Sequence, residues 1–248
     1  MSVALAVAGF APGLVLGSFL NVVAARVPLR RSVVQPRSAC MSCGTELAWR
    51  DNIPLVSWAL LRGRCRYCGA RIPWRYPAVE LATAVLVAAC LLVFGLTAYA
   101  FLAAGFCAVL VAISAIDVEH RIVPNRIVVP ATVVVLVVRT LIDPSVEWLL
   151  GGLAGFLFLF IAAVIYPAGM GMGDVKLAAL LGVMLGRDVA VALMAGMLLA
   201  IVPSVVLLAR HGSSARKMGI PFAPFLAGGG IVALFAGGQL LDAYLSLL

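Results

Sequence analysis

The feature that most constrains this chain is a run of about twenty apolar residues that recurs along it, interrupted only by short polar stretches. A backbone survives in hydrocarbon only if it satisfies its own hydrogen bonds, and a helix needs about 20 residues to cross. By that measure the 248 residues supply spans over 3–25, 78–94, 98–116, 127–141, 147–166, 175–185, 189–209 and 222–247. Only 11% of residues are charged, against roughly 25% in a soluble domain, which excludes an ordinary water-soluble fold. The expected fold class is an all-α polytopic membrane protein with about eight transmembrane helices. The sixth span is short, covering only roughly 18 Å of a core about 30 Å thick, and is expected to be a half-helix or a broken one.

Charge orients these spans. No basic residue precedes the first span and Arg26 follows it, so it reads as a span with its N-terminus outside and not as a cleavable signal peptide. The loops then predicted inside, 26–76, 117–126, 167–176 and 210–219, carry 10, 2, 1 and 3 basic residues, while the outside keeps Arg139 and Arg187. That asymmetry is expected to place the polar insert on the cytoplasmic side of its membrane. The net charge of +8 lies wholly in residues 26–75, where ten arginines face Glu46 and Asp51. One compact basic insert on a neutral apolar body points to anionic lipid headgroups as its neighbours and away from nucleic acid. Three parts are expected: a first helix over 1–25, a metal-binding insert over 26–77 and a helical membrane body over 78–248. The stripes Gly9-xxx-Gly13-xxx-Gly17 and Gly151-xxx-Gly155 predict close helix packing without chemistry.

The insert holds Cys40-x2-Cys43 and, 21 residues later, Cys65-x2-Cys68, within a repeat Cys-x2-Cys-Gly-x4-Trp-Arg at 40–50 and 65–75. Tetrahedral zinc takes four thiolates, and Gly44 and Gly69 relax the turn after each pair. Two disulfides or free thiols are the alternative, which a reducing cytoplasm disfavours; iron is the second candidate metal. Four cysteines leave no open coordination position, so the metal is expected to be structural. Cys90 and Cys107 lie within spans and read as small buried hydrophobes.

Acids are few, and an ionisable group near a span is usually functional. Asp117 ends the third span and Asp174 opens the sixth within Gly171-Met-Gly-Asp-Val-Lys176, both at the predicted cytoplasmic boundary. Two carboxylates that meet there share a proton and suit acid–base hydrolysis of a peptide bond. Gly169, Gly171 and Gly173 would let the backbone leave helical geometry beside an extended peptide. The spacing leaves two alternatives open: simple helix caps, and a transporter using Asp117 and Asp174 as ion or proton sites.

Several ordered motifs then carry a resemblance over nearly the whole chain: Gly17-Ser-Phe-Leu-Asn-Val-Val, the paired Cys-x2-Cys, Asn52-Ile-Pro-Leu-Val-Ser-Trp58, Arg75-Tyr-Pro-Ala-Val-Glu80, Asp117 followed by Pro124-Asn125, Gly171-Met-Gly-Asp-Val-Lys-Leu177 and Ile220-Pro-Phe-Ala-Pro-Phe225. Together they resemble the prepilin leader peptidases, which process precursors of type IV pilins and type II secretion pseudopilins. The resemblance implies an aspartic protease with Asp117 and Asp174 as its catalytic pair, cutting at the cytoplasmic face just after the leader's terminal glycine. It also implies N-methylation of the new terminus with S-adenosylmethionine, as the four-cysteine members do. Two positions depart from the usual pattern, Asn125 and Ala223, and neither is expected to touch the pair. Lys176 is expected near the pair or at lipid phosphate. Glu80 is expected to pair with Arg75 or to meet a basic leader. Glu119, His120 and His211 read as boundary residues, and the run 228–230 as glycines within a span.

Overall fold

The computed structural model describes residues 2–167, 170–212 and 220–246. Gly169, Arg216 and Lys217, the end of the last expected span at 247 and the side chain of His211 lie outside the described residues. Among the described residues the regular structure is helical, apart from two isolated β-bridges. In order these are α1 (Ser2–Arg26), a 3-10 turn at Trp49–Asn52, α2 (Val56–Leu60), α3 (Arg75–Phe94), α4 (Ala98–His120), α5 (Asn125–Ile142), α6 (Glu147–Ile165), α7 (Met172–Leu185), a 3-10 turn at Gly186–Asp188, α8 (Val189–His211) and α9 (Ala223–Leu245). Each expected span has a helix. Seven helical stretches are long and apolar enough to cross a membrane, because α7 and α8 run on through the Gly186–Asp188 turn as one stretch, Met172–Arg210. The protein is thus a multi-pass membrane protein with a four-cysteine cluster between its first two long helices.

Where α3 and α6 meet their neighbours they turn small residues inward, such as Ala84, Ala88 and Gly151, and leave large aliphatic ones such as Val93, Leu157 and Ile161 exposed. Water would reverse that pattern. Hydrocarbon supports it, because lipid solvates aliphatic side chains and helices associate through close packing. Pro12, Pro130 and Pro203 lie inside helices, as membrane helices tolerate.

The chain divides into two compact units, Met1–Ala115 and Ile116–Leu248. In the first, α1 packs along α3 through the predicted glycine stripe. A Cβ placed on Gly9, Gly13 or Gly17 would lie 2.8, 2.6 and 2.6 Å from the Cα atoms of Ala88, Ala84 and Glu80. The two helices therefore touch backbone to backbone at every fourth residue. Cys90 and Cys107 are fully buried, their sulfurs 4.0 Å apart.

In the second unit the 14-residue α7 is an interior helix. Leu177, Leu180, Leu181 and Met184 are fully buried, and a helix apolar on all sides belongs in a core. Its rise is about 21 Å, too little to span. It is held by α6, where a Cβ on Gly152 or Gly155 would sit 2.5 Å from Val183 Cγ1 or from the Ala178 carbonyl oxygen. Arg139 closes the far end of α7, stacking 3.7 Å over Trp148 while its Nε donates to the Met184 carbonyl at 3.3 Å.

Gly13→Leu should force α1 off α3 and destabilise the protein by about 1–3 kcal/mol, read as a lowered midpoint of thermal unfolding in detergent. Gly105→Ala, where a Cβ meets nothing within 4 Å, should leave the midpoint unchanged or raise it.

Candidate functional site

Each Cys-x2-Cys pair folds into the same knuckle. Gly44 N–H donates to the Cys40 carbonyl at 2.9 Å and Gly69 N–H to the Cys65 carbonyl at 3.0 Å. Cys40 N–H donates to Thr45 O at 2.9 Å and Cys65 N–H to Ala70 O at 2.8 Å. The bridges Ala39–Glu46 and Arg64–Arg71 close the two loops. Gly44 and Gly69 adopt φ of +72° and +70°, the left-handed conformation that side chains resist, which explains the glycine after each pair. Backbone hydrogen bonding thus reproduces the repeat seen in sequence.

The four sulfurs lie within 4.8 Å of one another, and Cys40 Sγ is 3.8 Å from Cys68 Sγ. A disulfide needs about 2.05 Å, and all four thiols are free. A tetrahedron with metal–sulfur bonds of about 2.3 Å has edges of about 3.8 Å, so the donor set fits a tetrahedral ion. Backbone N–H groups of Cys43 and Ser42 lower the Cys40 thiol, those of Cys68 and Tyr67 lower Cys65, and the Thr45 hydroxyl and N–H lower Cys43. At Cys68 the Ala70 N–H also favours thiolate, but desolvation and the three neighbouring sulfurs outweigh it and push the group to about 11. Four thiolates in this space need a cation. Cys68→Ser should abolish bound metal, measured by elemental mass spectrometry on the purified protein, where the unaltered chain is expected to hold one ion.

The two aspartates belong to the second unit. Asp117 lies in the last turn of α4, only 5% exposed, and its Oδ2 accepts the Ala223 N–H, the first residue of α9, at 3.1 Å. Asp174 is the third residue of α7 and half-buried; its N–H donates to the Gly171 carbonyl at 3.1 Å. The two carboxyl groups are within electrostatic range of each other.

The predicted glycines take different positions around them. Gly171 is extended, with φ of −82° and ψ of 144°, just ahead of α7, and a Cβ there would lie 3.6 Å from Asp174 Oδ2. Gly173 is helical and meets the α4–α5 connection, where a Cβ would come within 2.8 Å of Val123 Cβ. Lys176 Nζ donates to Asn125 Oδ1 at 2.8 Å, tying α7 to the start of α5. Asp117, Asp174, Gly171, Gly173 and Lys176 are therefore gathered at one cluster of helix ends. Glu80 belongs to the first unit, where its Oε2 accepts the Leu55 N–H at 2.8 Å. Leu55 has φ of 59° and immediately precedes the short α2.

Sequence reasoning missed three participants. Ala223, expected not to touch the pair, does reach Asp117, because the contact comes from its backbone N–H, which no residue identity announces. Asn21 is buried and its Nδ2 donates to the Tyr76 carbonyl at 3.0 Å; an amide inside an apolar span was the signal available. Asp51 figured only in the charge tally, yet its side chain is 2% exposed and its Oδ1 pairs with Arg66 at 2.7 Å.

Two family models match the chain, the Bacterial Peptidase A24 N-terminal domain over residues 12–94 and the Type IV leader peptidase family over 104–209. A prepilin leader peptidase/N-methyltransferase of Bacillus subtilis strain 168 is 37% identical over 245 residues, covering 95% of this chain and 96% of its own. A protein of the same name from Burkholderia pseudomallei strain 1026b is 35% identical, covering 91% and 83%. One from Myxococcus xanthus strain DK1622 is 43% identical, covering 71% and 55%. No solved structure matches. Two adjoining family models and full-length relatives at this identity leave one conclusion: the chain is an enzyme that belongs to the type IV leader peptidase family.

Proposed function

We propose that the protein is an aspartic endopeptidase of the inner membrane that removes the leader from type IV prepilins or pseudopilins at the cytoplasmic face, and then N-methylates the new terminus. The observation that carries the peptidase reading is the cluster of helix ends bearing Asp117 and Asp174 within electrostatic range of each other, in a chain of this family. The ionised carboxylate takes a proton from water as the water oxygen bonds to the scissile carbonyl carbon. Its protonated partner donates to the carbonyl oxygen, and the C–N bond then breaks with a proton passing to the leaving amine. The Ala223 N–H at 3.1 Å orients the Asp117 carboxylate. Gly171 offers extended backbone beside Asp174, and Lys176 with Gly173 fixes the start of α7 against Asn125 and Val123.

The asymmetry of basic residues supports a cytoplasmic site in a bilayer. Both carboxyls lie within a turn of helix ends, which favours peptide chemistry at a surface over an ion-carrying role, for which acids near the midplane are expected. In the insert, Cys40, Cys43, Cys65 and Cys68 would hold zinc as a structural ion, in keeping with the tetrahedral edge lengths. We read the chain as a first helix to residue 25, this insert over 26–77 and the peptidase body over 78–248. S-adenosylmethionine supplies an electrophilic methyl group: the terminal amine forms the N–C bond as the S–C bond breaks, and the amine releases one proton.

Asp117→Asn and Asp174→Asn should each lower leader cleavage more than about a hundred-fold while the protein remains inserted, measured by mass spectrometry of a co-expressed prepilin. Undiminished cleavage by either variant contradicts the reading. In the same spectra the mature subunit of the unaltered enzyme should carry one added methyl group. Ala223→Pro, which removes the donor at a position where helices accept proline, should slow cleavage about ten-fold, the loss expected for one hydrogen bond to a charged group.

A further inference from the structure

The first unit contains a cavity of about 460 Å³ between the C-terminal half of α1, the cysteine knuckles and the start of α3, within the range of about 300–1,000 Å³ typical of small-molecule sites. Ser18, Asn21, Asp51, Trp58, Tyr76 and Glu80 are among its lining residues. Its walls are fixed: Asn21 holds the Tyr76 carbonyl at 3.0 Å, Trp58 Nε1 donates to the Ile72 carbonyl at 3.2 Å, and Gly17 presses directly on Glu80.

Two acids are among its lining residues, and the side chains of both are buried. Glu80 is 8% exposed with its carboxylate on the Leu55 N–H. Asp51 spends Oδ1 on Arg66, while its Oδ2 is buried without any hydrogen-bond partner. A buried carboxylate oxygen left without a partner is destabilising, and a ligand bearing donors offsets that cost. A ligand for this cavity should therefore combine hydroxyl donors for Asp51, a positive centre for Glu80 and a flat ring for the aromatic side chains.

We propose that this cavity binds S-adenosylmethionine, with Asp51 Oδ2 accepting from the ribose hydroxyls, Glu80 facing the cationic sulfonium and ammonium end, and Trp58 or Tyr76 covering the adenine. The assignment rests on the methyltransferase reading above and places its methyl donor. It gives Asp51 and Glu80 a shared task that neither the metal nor the peptidase chemistry uses.

The test is calorimetric titration of the full-length protein in detergent with S-adenosylmethionine and with S-adenosylhomocysteine, its uncharged thioether product, alongside metal content. Asp51→Asn should weaken both ligands at least ten-fold. Glu80→Gln should weaken the sulfonium ligand more than the thioether. Ala25→Phe, which fills the cavity from α1, should weaken both with full metal content retained, and it decides the matter if Asp51→Asn loses metal. Glu46→Gln, the other acid of the insert and outside this cavity, should bind as the unaltered protein does. Unchanged affinity in Asp51→Asn, Glu80→Gln and Ala25→Phe, with binding by the unaltered protein intact, overturns the cavity assignment and leaves the methyltransferase reading standing. Absence of both binding and methyl transfer in the unaltered protein overturns that reading, and this assignment with it.

Discussion

Backbone-to-backbone contact between helices is the constraint on which the rest of this structure depends. In hydrocarbon no hydrophobic force draws helices together, so association relies on close packing, and small residues permit it. Gly9, Gly13 and Gly17 bring α1 onto α3, and Gly151, Gly152 and Gly155 bring α6 onto α7. Each contact also positions chemistry. Gly17 against Glu80 forms one wall of the insert cavity, and α6 holds the short α7 whose first turn carries Asp174.

The second organising fact is the restriction of polar chemistry to places where helices stop. Asp117, Asp174, Asn125 and the Ala223 N–H all lie within a turn of a helix terminus in the second unit. There the backbone has unsatisfied donors to offer and an extended segment such as that at Gly171 is permitted. In the first unit the insert solves a related problem. A segment of some fifty residues rich in arginine cannot build much of a core, and an ion held between the two knuckles, as proposed above, would supply the cross-link that burial does not.

Much of this was legible in sequence. Length and polarity located the helices to within a few residues, and the stripes of glycine named the packing faces. The cysteine repeat announced its own pseudo-symmetry, which the matching hydrogen bonds at Gly44 and Gly69 bear out in detail. Less accessible was anything carried by the backbone or by burial. Ala223 acts on Asp117 through an N–H that every residue except proline possesses. Asp51 looked like one charge among many until its unpaired Oδ2 was seen. The length of α7 marked it as short, but its burial on all sides follows from neighbours far away in sequence. Glu80 was expected at Arg75 or at the leader, and its bond to the Leu55 N–H across 25 residues is a further contact that no residue identity announced.

The proposed hydrolysis requires Asp117 and Asp174 to work as one unit. The most direct measurement is the single-turnover cleavage rate of a prepilin in proteoliposomes for Asp117→Asn, Asp174→Asn and the double variant. Residues that act together lose nearly everything with the first substitution. The double variant should therefore be no slower than the worse single variant. Losses that multiply, or a single variant that retains the rate of the unaltered enzyme, would contradict a shared catalytic pair.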